Sequence, residues 1–307
     1  MNRNLALGLL AALAAALIGS GWQIASRHGV TTTLGPLELA VLRYGVPTLV
    51  LLPLCLKTGL LPAGVPRARL AMLLLGGALP FGLVVLAGAR WAPAAHMGVY
   101  MSGSVPLFTA LGAWLAGGEK LGGPRLAGLA LIVCGMLAFG VVTQRLGGQP
   151  GAWRGDLLFL LAAMMWAMHT LAFRGTGLTP WQGAAIVNGW SLLMLLPVVL
   201  VWGAPRLLTA PWTDVAWQAL GQGVVAGLLG LVTYMAAIVR LGAARASLSA
   251  ALVPLMTALG AAWLLGEPLD TGTLMAAGVV ACGVALAGGA LRTGRQQPAQ
   301  QPGSAVR

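Results

Sequence analysis

Charge is scarce in this 307-residue chain, and acidic charge is scarcest of all. Only 8% of the residues are charged, and six acidic residues stand against 18 lysines and arginines. A soluble domain carries about a quarter charged residues, and a chain of this length could not hide so much apolar surface in one core. With 58% hydrophobic residues and a mean hydropathy of +0.87, the chain is predicted to be a membrane protein.

The chain also lacks the motifs of most enzyme classes. The three cysteines have no metal-type spacing, and there is neither a Walker motif nor a Ser/His/Asp set. We therefore expect no enzymatic activity, no cofactor and no metal. The net charge of +12 would suggest nucleic acid as partner of a soluble protein. In a membrane protein it is better explained by basic cytoplasmic loops, so no nucleic-acid partner is expected.

No acidic residue lies in the middle of a hydrophobic stretch. Proton relays and cation pathways usually use a carboxylate inside the membrane. Its absence argues against a carboxylate-driven proton antiporter. It leaves uniport, exchange, or proton coupling through His96 or His169.

Ten apolar stretches are close to the length of about 20 residues that crosses a bilayer. They cover roughly 5–25, 36–56, 70–89, 94–116, 125–143, 155–173, 181–202, 216–238, 244–265 and 272–291. The first is longer than the core of a signal peptide, so we expect it to be retained. Residues 293–307 are polar and are predicted to form a disordered cytoplasmic tail.

The basic residues orient these stretches. With the N-terminus inside, 12 lysines and arginines fall on the cytoplasmic side and five on the outer side, while Arg43 lies within the second stretch. Such an excess is typical of cytoplasmic loops. The distribution predicts that both termini are cytoplasmic.

A duplicated phrase divides the chain into two parts. The segments VPLFTALGAWLAGGEKL at 105–121 and VPLMTALGAAWLLGEPL at 253–269 share 11 of 17 residues. Five stretches separate the copies, and because five is odd, the second half must enter the membrane upside down relative to the first. We predict inverted five-helix repeats at 1–145 and 152–292, an arrangement typical of alternating-access transporters.

These motifs resemble those of EamA-type members of the drug/metabolite transporter superfamily, and most closely the aromatic amino acid exporter branch. The resemblance rests on Pro106 with Gly118-Glu119, Pro254 with Gly266-Glu267, and Gly155-Asp156-Leu157. It implies an all-α bundle of ten transmembrane helices, with a substrate path bordered by spans one, three, four, six, eight and nine. It also implies a bacterial inner-membrane exporter of amino acids and related metabolites.

Polar and aromatic residues in those central spans are the candidate substrate-binding groups, because such side chains are unfavourable in lipid. They are Trp22, Gln23, Phe81, His96, Tyr100, Ser104, Trp166, His169, Tyr234 and Ser249. His96, Tyr100 and Ser104 recur every fourth residue, which places them on one stripe of an α-helix. The alternatives are a hydrogen-bonded helix–helix seam for this stripe, an interfacial anchor for Trp22 and a structural bond for His169.

Prolines and glycines within the spans predict hinges. Pro80, Pro106 and Pro254 each remove a helical hydrogen bond, and Gly227 and Gly230 lie in the eighth span. Close helix packing by glycine is the alternative.

Three charged residues have competing interpretations. Glu119 and Glu267 end symmetric helices, and we favour ion pairs with Lys120, Arg125 or another nearby base over a coupling role. For Arg43 we favour a structural pair, with Glu38 as a strained partner, or a lipid headgroup contact over attraction of a carboxylate.

A lining of hydroxyls, amides and aromatic rings suits a small neutral or zwitterionic solute with a partly apolar side chain. We predict a monomeric transporter that exports amino acids, surrounded by membrane lipids. One alternative is efflux of multiple or cationic drugs, which would more naturally use a mid-membrane carboxylate. The other is a membrane receptor or scaffold, which would not need two inverted halves.

Overall fold

A computed structural model describes residues 3–116, 122–145, 147–246 and 250–288. Over these ranges the chain is helical and contains no strand. The predicted site residue Ser249, the Gly118-Glu119 pair and the predicted tail 293–307 lie outside the described residues.

Each half of the chain forms long helices and interrupted ones. In the first half the helices are α1 Arg3–Thr31, α2 Pro36–Thr58, α3 Arg67–Gly77, α4 Leu79–Trp91, α5 Ala94–His96, the π-helical turn π1 Met97–Ser102, α6 Val105–Leu115 and α7 Gly123–Arg145. In the second half they are α8 Ala152–Arg174, α9 Pro180–Trp202, α10 Arg206–Thr209, α11 Trp212–Gln218, the π-helical segment π2 Ala219–Gly230, α12 Leu231–Leu241, α13 Ala243–Ala246, α14 Val253–Leu265 and α15 Thr271–Ala287.

The length and the surface of these helices fit a lipid bilayer. Within the described part of the chain, seven helical stretches are long and apolar enough to cross a membrane. They are Arg3–Thr31, Pro36–Thr58, Arg67–Trp91, Gly123–Arg145, Ala152–Arg174, Pro180–Trp202 and Trp212–Leu241. Large apolar side chains cover the outside, among them Leu200 and Trp263, and such a surface marks contact with lipid rather than water. The protein is therefore a multi-pass membrane protein.

The three predicted hinge prolines each begin a helix after an interruption. Ala78 is extended between α3 and α4, and Pro80 is the second residue of α4. Pro106 and Pro254 are likewise the second residues of α6 and α14. Proline is tolerated there because the first N–H groups of a helix have no partner within it. The duplicated phrase therefore begins at the start of two corresponding helices.

The long helices α2 and α9 support matching irregularities in the spans that follow them. The Tyr44 hydroxyl donates a hydrogen bond of 3.0 Å to the carbonyl of Ala78, at the break between α3 and α4. Asn188 Nδ2 donates a bond of 3.1 Å to the carbonyl of Gly227, within π2. Each half thus braces a bent span with a polar side chain of its preceding long helix.

The glycines that the sequence suggested as hinges allow helices from different halves to approach closely. A Cβ on Gly230 would lie 2.8 Å from Ile18 Cγ2 on α1, and a Cβ on Gly227 would collide with the carbonyl oxygen of Arg43 on α2. On α3, a Cβ on Gly76 would lie 2.6 Å from the backbone nitrogen of His169 on α8. These contacts fit the packing alternative, in which glycine brings two backbones together.

The acidic residue Glu38 acts at the start of α2. Its Oε2 accepts a hydrogen bond of 3.0 Å from the backbone N–H of Gly35, which forms a capping box with Pro36 as the first helical residue. The suggested Glu38–Arg43 pair is therefore wrong, because the Glu38 carboxylate turns back to the helix start instead of forward along the helix.

Candidate functional site

A cavity of about 110 Å³ lies in the centre of the helix bundle. Both halves contribute to it: α1, α2, α4, π1 and α6 from the first, and α8, π2, α12 and the start of α14 from the second. Its larger lining side chains are Trp22, Gln23, Arg43, Phe81, Met101, Trp166 and Tyr234. Five of the residues predicted to bind substrate are in this set: Trp22, Gln23, Phe81, Trp166 and Tyr234.

Four aromatic rings form a continuous wall of the cavity. The ring centroids of Trp22 and Phe81 are 6.1 Å apart, those of Phe81 and Trp166 are 4.9 Å apart, and those of Trp166 and Tyr234 are 5.2 Å apart. Such distances are typical of interacting aromatic pairs. The Tyr234 hydroxyl is 2.9 Å from Thr170 Oγ1, so this ring is fixed by a hydrogen bond to the second half's first helix.

Gln23 forms a polar layer next to the aromatic wall. Its Nε2 donates a hydrogen bond of 2.6 Å to Ser102 Oγ in π1, and its Oε1 accepts one of 2.9 Å from Thr257 Oγ1 in α14. The amide therefore links helices from both halves. Ser102 lines the cavity as well and was not among the predicted site residues.

Arg43 is the cavity residue that the sequence placed elsewhere. Its side chain is buried, with the residue 6% exposed, and its Cζ lies 4.2 Å from the centroid of the Trp22 ring. Nε and Nη1 are buried without a hydrogen-bond partner among the described residues. The sequence carried the signal, a single arginine within an apolar stretch, but its contact with Trp22 joins two helices and could not be read from spacing.

None of the predicted stripe residues His96, Tyr100 and Ser104 is among the lining residues of the cavity. His96 Nδ1 lies 2.7 Å from Asp156 Oδ1 in α8, and the Tyr100 hydroxyl donates a bond of 3.2 Å to the carbonyl of Met136 in α7. Ser104 Oγ donates to the carbonyl of Tyr100 on its own helix. The contacts of His96 and Tyr100 are those of the helix–helix seam that we considered as the alternative, whereas Ser104 bonds within its own span.

The π-helical turn explains this placement. Gly103 N–H donates to the carbonyl of Gly98, five residues earlier, at 3.0 Å. A stripe of every fourth residue assumes i→i+4 bonding, and a π turn with i→i+5 bonding shifts the residues that follow it around the helix. As a result Met101, Ser102 and Val105 reach the cavity.

His169 lies behind the aromatic wall. Its ring stacks on Trp166 with centroids 4.9 Å apart, and its Nδ1 is 3.0 Å from the carbonyl oxygen of Leu73 in α3. The residue is fully buried. It positions Trp166 and joins α8 to α3.

A second contact between the halves lies one helical turn beyond Gln23 on α1. Arg27 Nε is 3.4 Å from Glu267 Oε1, and its Nη1 donates a bond of 2.6 Å to the carbonyl of Ala89. Both oxygens of Glu267 lie 3.0 Å from the backbone nitrogen of Ala94, the first residue of α5. The base that pairs with Glu267 is therefore Arg27, and not a residue of the neighbouring loop.

The backbone conformation at the end of α14 explains why glycine precedes Glu267. Gly266 ends α14 with a φ of +66°, a left-handed conformation that glycine adopts without strain. The turn directs the Glu267 carboxylate to the start of α5, where an anion stabilises the free N–H groups and the positive end of the helix. We call Arg27, Glu267 and Ala94 the Arg27 cluster.

Comparison with known proteins now identifies the family. The model of the EamA-like transporter family matches the chain twice, at residues 6–141 and at residues 153–289. This chain belongs to the EamA-like transporter family. The family is one of membrane transporters, and it is not a family of enzymes.

Two further matches place this EamA-like transporter among known proteins. It is 33% identical over 165 residues to the Pseudomonas aeruginosa protein named Uncharacterized protein PA1977, and the match covers 52% of this chain and 53% of that relative. The chain thus matches about half the length of the relative. One crystal structure shares the fold, with a TM-score of 0.61 and 19% identity, over 91% of this chain and 95% of that one. Neither match names a substrate, so the narrower resemblance to aromatic amino acid exporters is not supported.

Metal binding finds no support in the described ranges of this EamA-like transporter. They contain no group of three or more His, Cys, Asp or Glu side chains that could hold a metal ion. The chemistry available at the cavity is hydrogen bonding, aromatic contact and the charge of Arg43.

Proposed function

We propose that this EamA-like transporter exports amino acids and related small metabolites across the bacterial inner membrane by alternating access. The observation that carries the proposal is the central cavity, where rings from both halves surround the amide of Gln23. Aromatic walls with a few polar groups are typical of sites for small organic solutes. The proposed binding residues are Trp22, Gln23, Phe81, Ser102, Trp166 and Tyr234.

The proposed topology has ten transmembrane helices in two inverted repeats, 1–145 and 152–292, with both termini cytoplasmic and the protein a monomer. The twofold match of the family model and the corresponding starts of α6 and α14 support the repeat. In this topology the Arg27 cluster lies at the periplasmic end. It would have to open for release of the solute, since it joins α1, α4, α5 and α14.

The cavity favours small solutes over large drugs. Its volume of about 110 Å³ is below the roughly 150 Å³ of an engineered protein cavity that accepts benzene. A larger amino acid would therefore require the helices to separate slightly. No acidic residue is among the described lining residues, and the positive charge of Arg43 would repel a cationic solute. Efflux of cationic drugs is the alternative, and this charge arrangement disfavours it.

The remaining predicted residues have supporting parts in this proposal. His96 and Tyr100 hold π1 against α8 and α7, and His169 holds Trp166. Ser249, outside the described residues, stays a predicted binding residue.

Reconstitution into liposomes tests the proposed function. Purified protein is assayed with a panel of labelled amino acids, with and without a pH gradient, and we expect flux of neutral amino acids. The Trp166→Ala variant should lose at least about tenfold in flux, since aromatic contacts and buried area at the site are lost. Trp263→Ala, on the exposed surface of α14, is the matched control and should transport normally. No flux of any amino acid by the native protein would refute the proposal.

A further inference from the structure

We propose that Arg43 is the anion-binding residue of the central cavity. By this proposal the cavity selects solutes that carry a carboxylate and an apolar or aromatic side chain, whether or not they carry an amino group. The inference rests on the proposed transport function and names the chemical class that the cavity recognises.

Arg43 is a buried charge without a charged partner among the described residues. A guanidinium inside a membrane protein must be paired or reach water, because desolvation of an unpaired charge is very unfavourable. Arg43 is only 6% exposed, and its Nε and Nη1 have no hydrogen-bond partner among the described residues. Glu38 on the same helix is committed to Gly35. A lipid headgroup contact is excluded by the same burial.

The Arg43 side chain borders the cavity and lies beside the space that a solute would fill. The described lining residues include no Asp or Glu that could neutralise it. A bound carboxylate would supply the missing charge and could accept two parallel N–H bonds from the planar guanidinium.

The guanidinium of Arg43 is held in a fixed position. One face of it rests on Trp22, with Cζ 4.2 Å from the ring centroid. The indole is itself held, since Trp22 Nε1 donates a bond of 2.9 Å to Gln222 Oε1 and Gln222 Nε2 donates one of 3.0 Å to Ser26 Oγ. On its own helix the guanidinium also contacts Tyr44, with Cζ 5.7 Å from that ring centroid, while Nε and Nη1 keep no hydrogen-bond partner among the described residues. A donor held in this way loses little side-chain entropy on binding.

The aromatic wall of the cavity fits the rest of the solute. From Trp22 the wall continues through Phe81 and Trp166 to Tyr234, which is suited to an apolar or aromatic side chain. With no carboxylate in the described lining, an ammonium group has no counter-charge there. The amino group of an amino acid should therefore add little to affinity, whereas the carboxylate should be essential.

Three probes of one shape separate these contributions. Phenylalanine carries both groups, 3-phenylpropionate only the carboxylate, and phenethylamine only the amine. Binding to the purified full-length protein in detergent is measured by titration calorimetry. We expect 3-phenylpropionate to bind within a few-fold of phenylalanine, and phenethylamine to bind about 10- to 100-fold more weakly, the effect of losing hydrogen bonds to a charged group.

Variants of Arg43 then assign the effect to this side chain. Arg43→Gln should weaken 3-phenylpropionate by about 10- to 100-fold, and Arg43→Lys, which keeps the charge without the planar fork, should have an intermediate effect. Lys57→Gln removes an exposed positive charge from the same helix and should leave binding unchanged. Thermal unfolding checks the fold, and Arg43→Gln should unfold at an equal or higher temperature because a buried unpaired charge is removed.

The comparison among probes needs no variant, so the proposal remains testable if Arg43→Gln fails to fold. Equal binding of phenethylamine and 3-phenylpropionate would overturn it, and so would unchanged binding of 3-phenylpropionate to a folded Arg43→Gln protein. Because binding is measured without flux, these outcomes are distinct from a failure of the proposed transport. Carboxylate-selective binding without amino acid flux would refute the transport of amino acids and leave the anion site standing.

Discussion

Corresponding positions of the two halves carry different side chains with different consequences. Aligned on the Leu-Leu-Pro sequences at 51–53 and 195–197, Arg43 and Tyr44 correspond to Val187 and Asn188. Tyr44 and Asn188 both donate to a carbonyl at the irregular part of the next span. Arg43 brings a charge to the cavity, whereas Val187 is buried in an apolar cluster. The halves thus retain a bracing contact and differ in the group that faces the solute.

The first helices of the halves differ in the same way. Aligned on Gly8 and Gly155, Trp22 corresponds to His169, and Gln23 to Thr170. Trp22 lines the cavity under Arg43, while His169 is one layer further out, behind Trp166. An asymmetric cavity has therefore been built from two similar backbones, which allows one orientation of a solute to be favoured.

The largest effect is expected where the halves pack backbone to backbone. In Gly76→Val the new Cβ would meet the Met165 carbonyl and lie 2.6 Å from the His169 nitrogen, so α3 and α8 must separate. We expect a loss of about 3 kcal/mol in the free energy of unfolding, the upper range for overpacking. Gly21→Val, at a helical glycine with no atom within 4 Å of its Cβ, is the control. Equal unfolding temperatures for the two variants in detergent would refute the packing role.

A smaller loss of stability is expected just before α6, where Ser102 lines the cavity and Ser104 does not. Ser102→Ala removes the acceptor of the Gln23 amide, and an unsatisfied buried donor costs about 1–3 kcal/mol. Ser104 bonds only to carbonyls of its own helix, so Ser104→Ala should change stability by less than about 0.5 kcal/mol. The concentration of half-maximal flux should rise for Ser102→Ala alone. A larger rise for Ser104→Ala would place the substrate on the other face.

These two serines also show how far the sequence could lead. The spacing of His96, Tyr100 and Ser104 is that of an α-helical stripe, and the sequence of residues 97–102 does not predict a π turn. Trp22, Gln23, Phe81, Trp166 and Tyr234 could be selected because polar and aromatic groups in central spans are unfavourable in lipid. The role of Arg43 could not be selected, since it depends on its contact with Trp22, which joins two helices.

The fold was easier to predict from the sequence than the site, for a physical reason. The apolar stretches, Pro106, Pro254 and Gly266 act on the backbone of their own segment, so each could be interpreted locally. Glu267 contacts Arg27 and Ala94, which are more than 170 residues away. The sequence predicted an ion pair for it and could not identify the base.

A moderate effect is expected at the Arg27 cluster, which joins the halves without lining the cavity. Glu267→Gln removes the ion pair and keeps an oxygen for the Ala94 N–H, and we expect a loss of about 1 kcal/mol for this partly exposed pair. The solute concentration at half-maximal flux should not change in this variant, whereas the maximal rate of flux should change. A change confined to solute affinity would mean that the cluster belongs to the binding site.

The smallest effect is expected at the cap of the last helix. The Thr273 hydroxyl and backbone N–H donate to the half-buried Asp270 carboxylate and lower its pKa below the usual 3.8. A lowered pKa stabilises the fold above the unfolded value, and this contribution is lost as the pH falls through the folded value. Asp270→Asn should therefore unfold at a slightly lower temperature at pH 7 and be less sensitive to acid below about pH 4. Identical acid sensitivity of the two proteins would contradict the cap.

The two contacts of the Glu267 carboxylate, with Arg27 and with the backbone N–H of Ala94, have a consequence for the rate of transport. If the halves part at this end, Arg27 loses its counter-ion and the α5 N-terminus loses its acceptor in the same event. Opening at this end therefore has to break both contacts. The temperature dependence of turnover should become shallower in Glu267→Gln, which lacks the ion pair.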